Sequence, residues 1–252
     1  MKLNYELMEQ LFQEGKSYKE IANILGYNRN SVSGWGIRTH GKLPDKLRSR
    51  RQSIPITQEQ REFLFGTLMG DGNLCLFGKH KNTVFGRTNH CLEQEKSCIH
   101  KEKILQPLVY QTKYTSKKVD GKEYQSCYYC VKPNTNLLDM YYMFYKNGKK
   151  DVPEDLSLLT PKAMAWWFMD DGTASSRCSI SIATCSFSLD GLLRLKDFLK
   201  RQYDIDIIIQ KDFKIYFSSK SAIKFYNLVK DYIIDEMLYK FKFVKSADLK
   251  LR

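Results

Sequence analysis

Several features that would place this chain in other protein classes are absent from its sequence. The 252 residues contain no run of about 18 apolar residues, the length that a membrane-spanning helix requires. The segment from Met1 to Leu7 carries charge where a secretory signal peptide has its apolar core. The four histidines form neither a Ser/His/Asp set nor a His-x-x-x-His pair, so serine-type catalysis and zinc hydrolysis have no support. We therefore expect an intracellular protein, in the cytoplasm or nucleoid or in an organelle matrix, without a membrane partner.

A disulfide framework and a zinc-binding cysteine pattern are also lacking. The seven cysteines are odd in number, and only one Cys-x-x-Cys pair exists, at Cys127 and Cys130. The segment around this pair is predicted to be a strand, on which positions three apart face opposite sides. We therefore predict buried free thiols rather than a structural zinc site.

Acidic side chains are scarce relative to basic ones. The sequence has 28 Asp and Glu against 41 Lys and Arg, which gives a net charge of +13. The simplest alternative is a basic protein with no polyanion partner. The imbalance favours a polyanion partner, and nucleic acid is the commonest.

One stretch occurs twice, at residues 64–72 and 164–172. The first reads Leu-Phe-Gly-Thr-Leu-Met-Gly-Asp-Gly, and the second reads Met-Ala-Trp-Trp-Phe-Met-Asp-Asp-Gly. Asp71 and Asp171 occupy the same place in the two copies and lie 100 residues apart. An interval of that length indicates a duplicated half-domain, because solenoid repeats have periods of roughly 20–50 residues.

Each copy is predicted to be a buried helix that ends at its aspartate. A capping box at Thr57 starts the first, and Thr160 followed by proline starts the second. Gly66 and Gly70 lie on one face of the first helix, which indicates close approach of another backbone.

Two such helices side by side would bring their C-terminal ends together. Asp71 and Asp171 would then meet at the floor of a cleft, and neighbouring carboxylates of this kind collect Mg²⁺. The second copy carries Trp166 and Asp170 where the first has the two glycines, so the contact is not expected to be symmetric. Asp170 is interpreted as a supporting or structural acid.

The two motifs, together with the segment from Met237 to Lys240, resemble the LAGLIDADG homing endonucleases in their single-chain form, over about residues 57–245. The resemblance implies a site-specific endonuclease that cuts both DNA strands with Mg²⁺, for which Mn²⁺ can substitute and with which Ca²⁺ supports binding but not cleavage. It implies that Asp71 and Asp171 are the metal ligands and catalytic acids. It also implies lysines near the active site that help water attack or stabilise the phosphorane. Aligning the two halves assigns that role to Lys132 and Lys220.

The pattern after each motif predicts an α+β fold. Each half, at residues 57–150 and 151–252, reads as helix, two strands, helix, two strands, helix. This predicts two pseudo-symmetric half-domains with antiparallel, saddle-like sheets and helices on one face. The open faces would form a basic trough for duplex DNA; the alternative is a pair of ordinary solvated faces. The predicted DNA-binding residues on these faces are Arg87, Lys113, Lys117, Lys118, Lys122, Arg177, Ser179, Lys211 and Lys214.

Residues 1–40 carry the pattern of a small all-α unit. A capping box at Ser17 and Glu20, a turn at Gly26 and a cap at Asn28 delimit three short helices. Their apolar positions include Leu7, Met8, Leu11, Phe12, Ile21, Ala22, Ile24, Leu25, Val32, Trp35 and Ile37. This resembles a helix-turn-helix DNA-binding domain, although any small three-helix bundle is the alternative. Its predicted DNA-contacting residues are Arg29, Asn30, Ser33 and Arg38.

Residues 41–56 are predicted to be a basic linker, because prolines flank a run of cations. The linker would follow the phosphate backbone or enter a minor groove, and a solvated tether is the alternative. The cations concerned are Lys46, Arg48, Arg50 and Arg51.

The sequence therefore predicts a monomeric endonuclease acting on a long asymmetric site in double-stranded DNA. A free-standing or intron-encoded origin is expected, because no flanking splicing sequence is present. Two alternatives remain: an RNA maturase that binds its own intron RNA, and a non-catalytic DNA-binding transcription regulator. Retention of both aspartates favours the nuclease.

Overall fold

The computed structural model describes residues 4–40, 53–77, 83–174 and 178–244. The chain divides into two compact units, Met1–Arg51 and Gln52–Arg252. Within the described ranges, no helix is both long and apolar enough to cross a membrane. Part of the predicted DNA-binding set lies outside the described residues: Lys46, Arg48, Arg50, Arg51 and Arg177.

The described part of the first unit, residues 4–40, contains three short helices around its own apolar core. They are α1 (Tyr5–Gln13), α2 (Tyr18–Leu25) and α3 (Arg29–His40). The predicted capping box forms at the start of α2, and a left-handed glycine, Gly26, follows its end. The buried core of the unit consists of Met8, Tyr18, Ile21, Ala22, Val32 and Trp35.

Three apolar positions of this unit differ from their prediction. Leu7, Ile24 and Ile37 were expected on the packed faces but are 38%, 56% and 52% exposed. On α3 the packing position is taken by Gly36, where an added Cβ would lie only 2.2 Å from the ring of Tyr18. The next residue, Ile37, lies toward solvent.

The second unit begins with a helix, a four-stranded antiparallel sheet and its covering helices. The sheet order is β1-β2-β4-β3. The helices are α4 (Gln58–Met69), α5 (Glu95–Leu105) and α6 (Leu138–Phe144). The strands are β1 (Asn73–Phe77), β2 (Thr83–Cys91), β3 (Lys113–Val119) and β4 (Lys122–Asn134), followed by the small pair β5 (Tyr145–Lys146) and β6 (Lys149–Lys150).

The same arrangement then recurs in shorter form. The sheet order is β7-β8-β10-β9, again antiparallel. The helices are α7 (Pro161–Asp171), α8 (Leu189–Tyr203) and α9 (Ser219–Val229). The strands are β7 (Gly172–Ala174), β8 (Ile180–Ile182), β9 (Ile208–Ile209) and β10 (Ile215–Phe217), and a 3-10 helix spans Asp235–Phe241. The predicted α+β fold with two related halves is confirmed.

Helices α4 and α7 pack against each other at the centre of the unit. A Cβ added at Gly66 would lie 2.2 Å from the backbone oxygen of Ala163, so the predicted close approach of two backbones is observed. At Gly70 the neighbour is a side chain, since an added Cβ would lie 2.7 Å from the Cβ of Asp170. The glycines therefore bring the C-terminal ends of the two helices together.

The first sheet has one face on the helices and one open face. Leu74, Val84 and Tyr129 are buried beneath the helices, whereas Arg87 and Asn89 are exposed on the open face. The hairpin of β3 and β4 continues past the end of β2, because β4 pairs with β2 only from Ser126 onward. The four preceding residues of β4 extend about 13 Å beyond the sheet, and the hairpin is exposed there on both sides.

Two predicted DNA-binding residues lie off the sheet face that was predicted for them. Lys118 is directly opposite Glu123 in the hairpin, on the side away from Lys117. Ser179 is buried, with 3% of its surface exposed. The predicted alternation fails there because Cys178 adopts a positive φ of 58°, and the strand starts only at Ile180.

The cysteines are free, as predicted, but their burial differs. Cys98 and Cys127 are buried, whereas Cys75, Cys91 and Cys185 are exposed, so the prediction of buried thiols is wrong for those three. No group of three or more His, Cys, Asp or Glu side chains in the described ranges is placed to hold a metal ion.

Candidate metal and nucleic-acid site

The two aspartates of the repeated motif lie at the ends of the paired helices. Asp71 follows α4 in a tight turn, in which the N–H groups of Gly70 and Gly72 both donate to the oxygen of Thr67, at 3.1 and 2.7 Å. Asp171 is the last residue of α7, and β7 begins at the next residue. Each aspartate therefore sits at a junction between a buried helix and the first strand of its sheet.

The charges of Asp71 and Asp170 both act on the carboxylate of Asp171. Partial burial, followed by the charges of Asp71 and Asp170, raises the pKa of Asp171 to about 7. Desolvation and the charge of Asp170 also raise the pKa of Asp71. Adjacent carboxylates that disfavour each other's ionised form are the arrangement that a bound cation stabilises.

Asp170 is held beneath this pair by a fully buried lysine. Its carboxylate forms an ion pair with Lys101 of α5, and both side chains are 0% exposed. The hydroxyl of Thr67 donates to the other carboxylate oxygen at 3.2 Å. The ammonium group of Lys101 also lies 3.5 Å from Nε2 of His90. Burial and the charge of Lys101 lower the pKa of His90 to about 4, so that this imidazole is neutral at pH 7.

Two further lysines bind the backbone around the aspartates. The ammonium group of Lys150 donates to the oxygens of Gly70 and Gly72, at 2.7 and 3.0 Å. The ammonium group of Lys240 donates to the oxygens of Met169 and Asp170, at 2.7 and 2.9 Å. Burial lowers the pKa of both lysines, against the opposing effect of the nearby carboxylates. Each half thus supplies one lysine that ties its final segment to its own motif.

The carboxylates of Asp71 and Asp171 fit a divalent metal whose coordination is completed by the substrate. Three carboxylates and three lysine ammonium groups cancel in formal charge, so that a bound phosphodiester would add uncompensated negative charge. The carboxylates of Asp71 and Asp171 offer oxygen ligands, and Mg²⁺ commonly binds to one or two carboxylates together with substrate phosphates and water. A site of this kind needs no third protein carboxylate or histidine.

The lysines predicted to be catalytic lie elsewhere. The ammonium group of Lys132 donates to the oxygen of Pro107 at 2.7 Å and lies 5.6 Å from the centre of the Tyr110 ring. Lys220 is exposed in the first turn of α9. The cations that act most strongly on Asp71 and Asp171 are Lys150, Lys240 and Lys101. A catalytic role for Lys132 and Lys220 stays a prediction.

The sequence contained a signal for some of these missed lysines. Lys150 and Lys240 both follow the last helix of their half, and Lys240 belongs to the segment already noted near the end of the chain. Lys101 gave no such signal, because a lysine on an amphipathic helix usually faces solvent.

The remaining predicted DNA-binding residues are distributed over both units. Arg87, Lys113 and Lys117 are exposed on the open face of the first sheet. Lys211 and Lys214 are exposed between β9 and β10, and Lys214 forms an ion pair with Asp212 at 2.9 Å. On α3, Arg29, Asn30 and Arg38 are exposed and Ser33 is half-buried.

Comparison with known proteins gives one family and several relatives. A model of the LAGLIDADG DNA endonuclease family matches residues 61–225. The DNA endonuclease I-ChuI of Chlamydomonas applanata is 30% identical over 210 residues, which cover 74% of this chain and 96% of that protein. The cytochrome b mRNA maturase bI2 of Debaryomyces hansenii is 27% identical over 223 residues, covering 80% of this chain and 82% of that protein.

Longer proteins contain the same region. A protein RecA of Mycolicibacterium flavescens is 28% identical over 204 residues, which cover 73% of this chain but only 47% of that relative, so the chain spans about half its length. Among solved structures, the homing endonuclease I-WcaI bound to its DNA recognition sequence superposes with a TM-score of 0.68 at 24% identity, covering 81% of this chain and 95% of that one. The likeness shows that the two chains share a fold.

Proposed function

Since this chain belongs to the LAGLIDADG DNA endonuclease family, we propose that it is a site-specific endonuclease that hydrolyses both strands of a DNA duplex with a divalent metal. The observation that carries the proposal is the pair of aspartates, Asp71 and Asp171, at the abutting ends of α4 and α7. One acid comes from each half, and two acids suit the hydrolysis of two strands.

The residues of the site have separable roles. Asp71 and Asp171 would hold the metal between the two halves. When bound, a divalent ion activates water and neutralises the charge that develops on the phosphate. Lys150 and Lys240 fix the backbone that presents the two carboxylates, and their ammonium groups add positive charge beside the scissile phosphates. We propose Mg²⁺ as the working ion, with Mn²⁺ as a substitute and Ca²⁺ as an ion that supports binding only.

The open sheet faces are proposed to bind the duplex. The first face presents Arg87, Lys113 and Lys117 to solvent, and long basic side chains in such positions neutralise phosphates. The N-terminal unit is proposed to bind DNA as a helix-turn-helix domain through Arg29, Asn30 and Arg38 on α3. Because the two sheets differ in strand length, the target is proposed to be asymmetric.

The test is cleavage of a randomised duplex library with Mg²⁺, next to an EDTA control, followed by sequencing of the ends. We expect one long site cut on both strands only with metal. On that site, Asp71→Asn and Asp171→Asn should each abolish double-strand cleavage while binding in Ca²⁺ persists. Arg201→Ala is the control, because Arg201 is exposed on α8 and forms an ion pair with its helical neighbour Asp197 at 2.6 Å.

Double-strand cleavage by both aspartate variants at the wild-type rate would refute the two-acid assignment. Failure of the folded wild-type protein to bind or cut any duplex would refute the endonuclease proposal.

A second candidate function is assistance of RNA splicing. It is favoured by the similarity to a protein named as a cytochrome b mRNA maturase over 80% of this chain. Selection of bound sequences from parallel RNA and DNA libraries separates the two functions. Enrichment of structured RNA without any enriched duplex would favour the maturase.

A further inference from the structure

Arg87 lies on the open face of the first sheet, close to the metal-binding end. It is directly opposite Asn73, which follows Asp71 by two residues, and on its other side it is opposite Cys130 of β4. The side chain is exposed. A duplex on this face would therefore meet Arg87 in its central part rather than at a margin.

The guanidinium group is held in one orientation by two neighbours. Its central carbon lies 3.7 Å from the centre of the Tyr128 ring, a cation–π contact. Its Nε donates to the side-chain oxygen of Asn89 at 2.7 Å. Stacking on an aromatic ring and a hydrogen bond at Nε restrict rotation of the group while the two terminal nitrogens keep their donors. What remains is a planar fork with a fixed direction.

A fixed fork of two donors fits guanine, and it fits a phosphate as well. The O6 and N7 atoms of guanine accept a bidentate contact from arginine in the major groove, the commonest specific contact between proteins and DNA. A phosphate contact needs no oriented group, since flexible lysines also bind phosphates, whereas a bidentate contact to a base needs one. On this sheet the exposed lysines of the hairpin, Lys113 and Lys117, can serve that purpose.

We propose that Arg87 determines specificity by reading one guanine in the half-site next to the first half of the protein, with Tyr128 and Asn89 as positioning residues. The inference rests on the proposed endonuclease function. It extends that function from a basic binding surface to a particular base contact.

Between residues 178 and 244, and in 151–174, the structure describes no equivalent fork in the second half. The position that corresponds to Arg87 lies opposite Thr173, two residues after Asp171, and is occupied by Ser181. Its neighbour on β10 is Tyr216, which stands where Cys130 stands beside Arg87, so that neither the arginine nor the placement of its stacking partner Tyr128 recurs. The guanine preference is therefore expected on one side of the cleavage site and not at the symmetry-related position.

The experiment uses the full chain and the site recovered from the randomised duplex library. Every position of that site is changed to the other three base pairs, and binding in Ca²⁺ and cleavage in Mg²⁺ are measured for each duplex. The variants are Arg87→Ala, Arg87→Lys, Tyr128→Ala and Tyr128→Phe, with Arg201→Ala as a control outside the binding surface. Arg87→Lys keeps the charge but removes the fork.

We expect the wild type to prefer guanine at one position near the cut by roughly 5- to 150-fold, equivalent to about 1–3 kcal/mol. Arg87→Ala and Arg87→Lys should both remove that preference and leave the other positions unchanged. Tyr128→Ala should weaken the preference, whereas Tyr128→Phe and Arg201→Ala should keep it.

Three results would overturn the inference. One is an unchanged base profile in Arg87→Ala. Another is a uniform loss of affinity at all duplexes that is restored in Arg87→Lys and accompanied by a weaker salt dependence, which would indicate a phosphate contact. A third is equal guanine preference at the symmetry-related position. If the wild-type protein still cleaves its site, any of these three results overturns the Arg87 inference alone and leaves the endonuclease proposal standing. If the wild-type protein binds no duplex, both proposals are overturned.

Discussion

The buried pair of Lys101 and Asp170 allows a quantitative prediction about stability. Both side chains are 0% exposed, and they come from different halves of the second unit. Changing Lys101→Met leaves the Asp170 carboxylate buried without its cation. Breaking a buried ion pair in this way typically costs about 3–5 kcal/mol of unfolding free energy. For a unit of this size each kcal/mol corresponds to roughly 2–4 °C, so the melting temperature should fall by about 6–20 °C.

A double variant isolates the cause of this loss. Lys101→Met with Asp170→Asn removes both charges and keeps an acceptor for the hydroxyl of Thr67. Replacing both members of a buried pair is often close to neutral, so the double variant should recover most of the lost stability. The matched control is Lys146→Met, which breaks the pair with Glu154, where the two side chains are 69% and 72% exposed. Exposed pairs contribute about 0–1 kcal/mol.

The assay is urea and thermal unfolding of the full chain, followed by the signal of the second unit. Equal losses of stability in Lys101→Met and Lys146→Met would contradict this prediction. A double variant as unstable as Lys101→Met alone would also contradict it, because the loss would then come from packing rather than from an unpaired charge.

Three further predictions concern the helix contact and the acid pair. Gly66→Ala should lower the unfolding free energy by about 1–3 kcal/mol, because the new Cβ would lie 2.2 Å from the Ala163 oxygen. A urea titration that shows no loss of stability would contradict this packing. The pKa of Asp171, raised to about 7, predicts that its carboxylate gains charge as the pH rises through that value. The Mg²⁺ concentration for half-maximal cleavage should therefore fall by roughly tenfold between pH 6 and 8. The same pKa shift predicts that the metal-free protein loses stability as the pH rises from 4 to 7, because the folded state binds the Asp171 proton more tightly than the unfolded chain does. An unfolding free energy that does not change over this pH range would contradict the prediction.

The features predicted correctly from the sequence were those set by local chemistry. The capping boxes at Ser17 and Thr57 form as expected, because each depends on residues three apart. The close helix contact was readable because Gly66 is unfavourable in a helix unless another backbone needs the space. The positions of Asp71 and Asp171 at the ends of the two helices followed from their equivalent places in a repeated motif, and their role as metal ligands stays a prediction.

The features that were missed depend on partners distant in the sequence. Lys101 is a buried residue only because Asp170, 69 residues later, neutralises it. Lys150 and Lys240 reach the site through backbone oxygens, which carry no residue-type signal. Ser179 was misplaced because a single positive φ at Cys178 interrupts the alternation on which the prediction relied.

The contacts of α4 have a consequence for the order in which the chain can fold. Gly66 of α4 packs against Ala163, which lies 97 residues later in the sequence. Lys101 of the neighbouring helix α5 pairs with Asp170, which lies 69 residues later. Both partners belong to the second half. A nascent chain that ends near residue 150 would display an apolar helix and an unneutralised lysine. Contacts of such long range slow folding and link the two halves into one cooperative transition. On the ribosome, the first half should therefore remain incompletely packed until the second half has emerged.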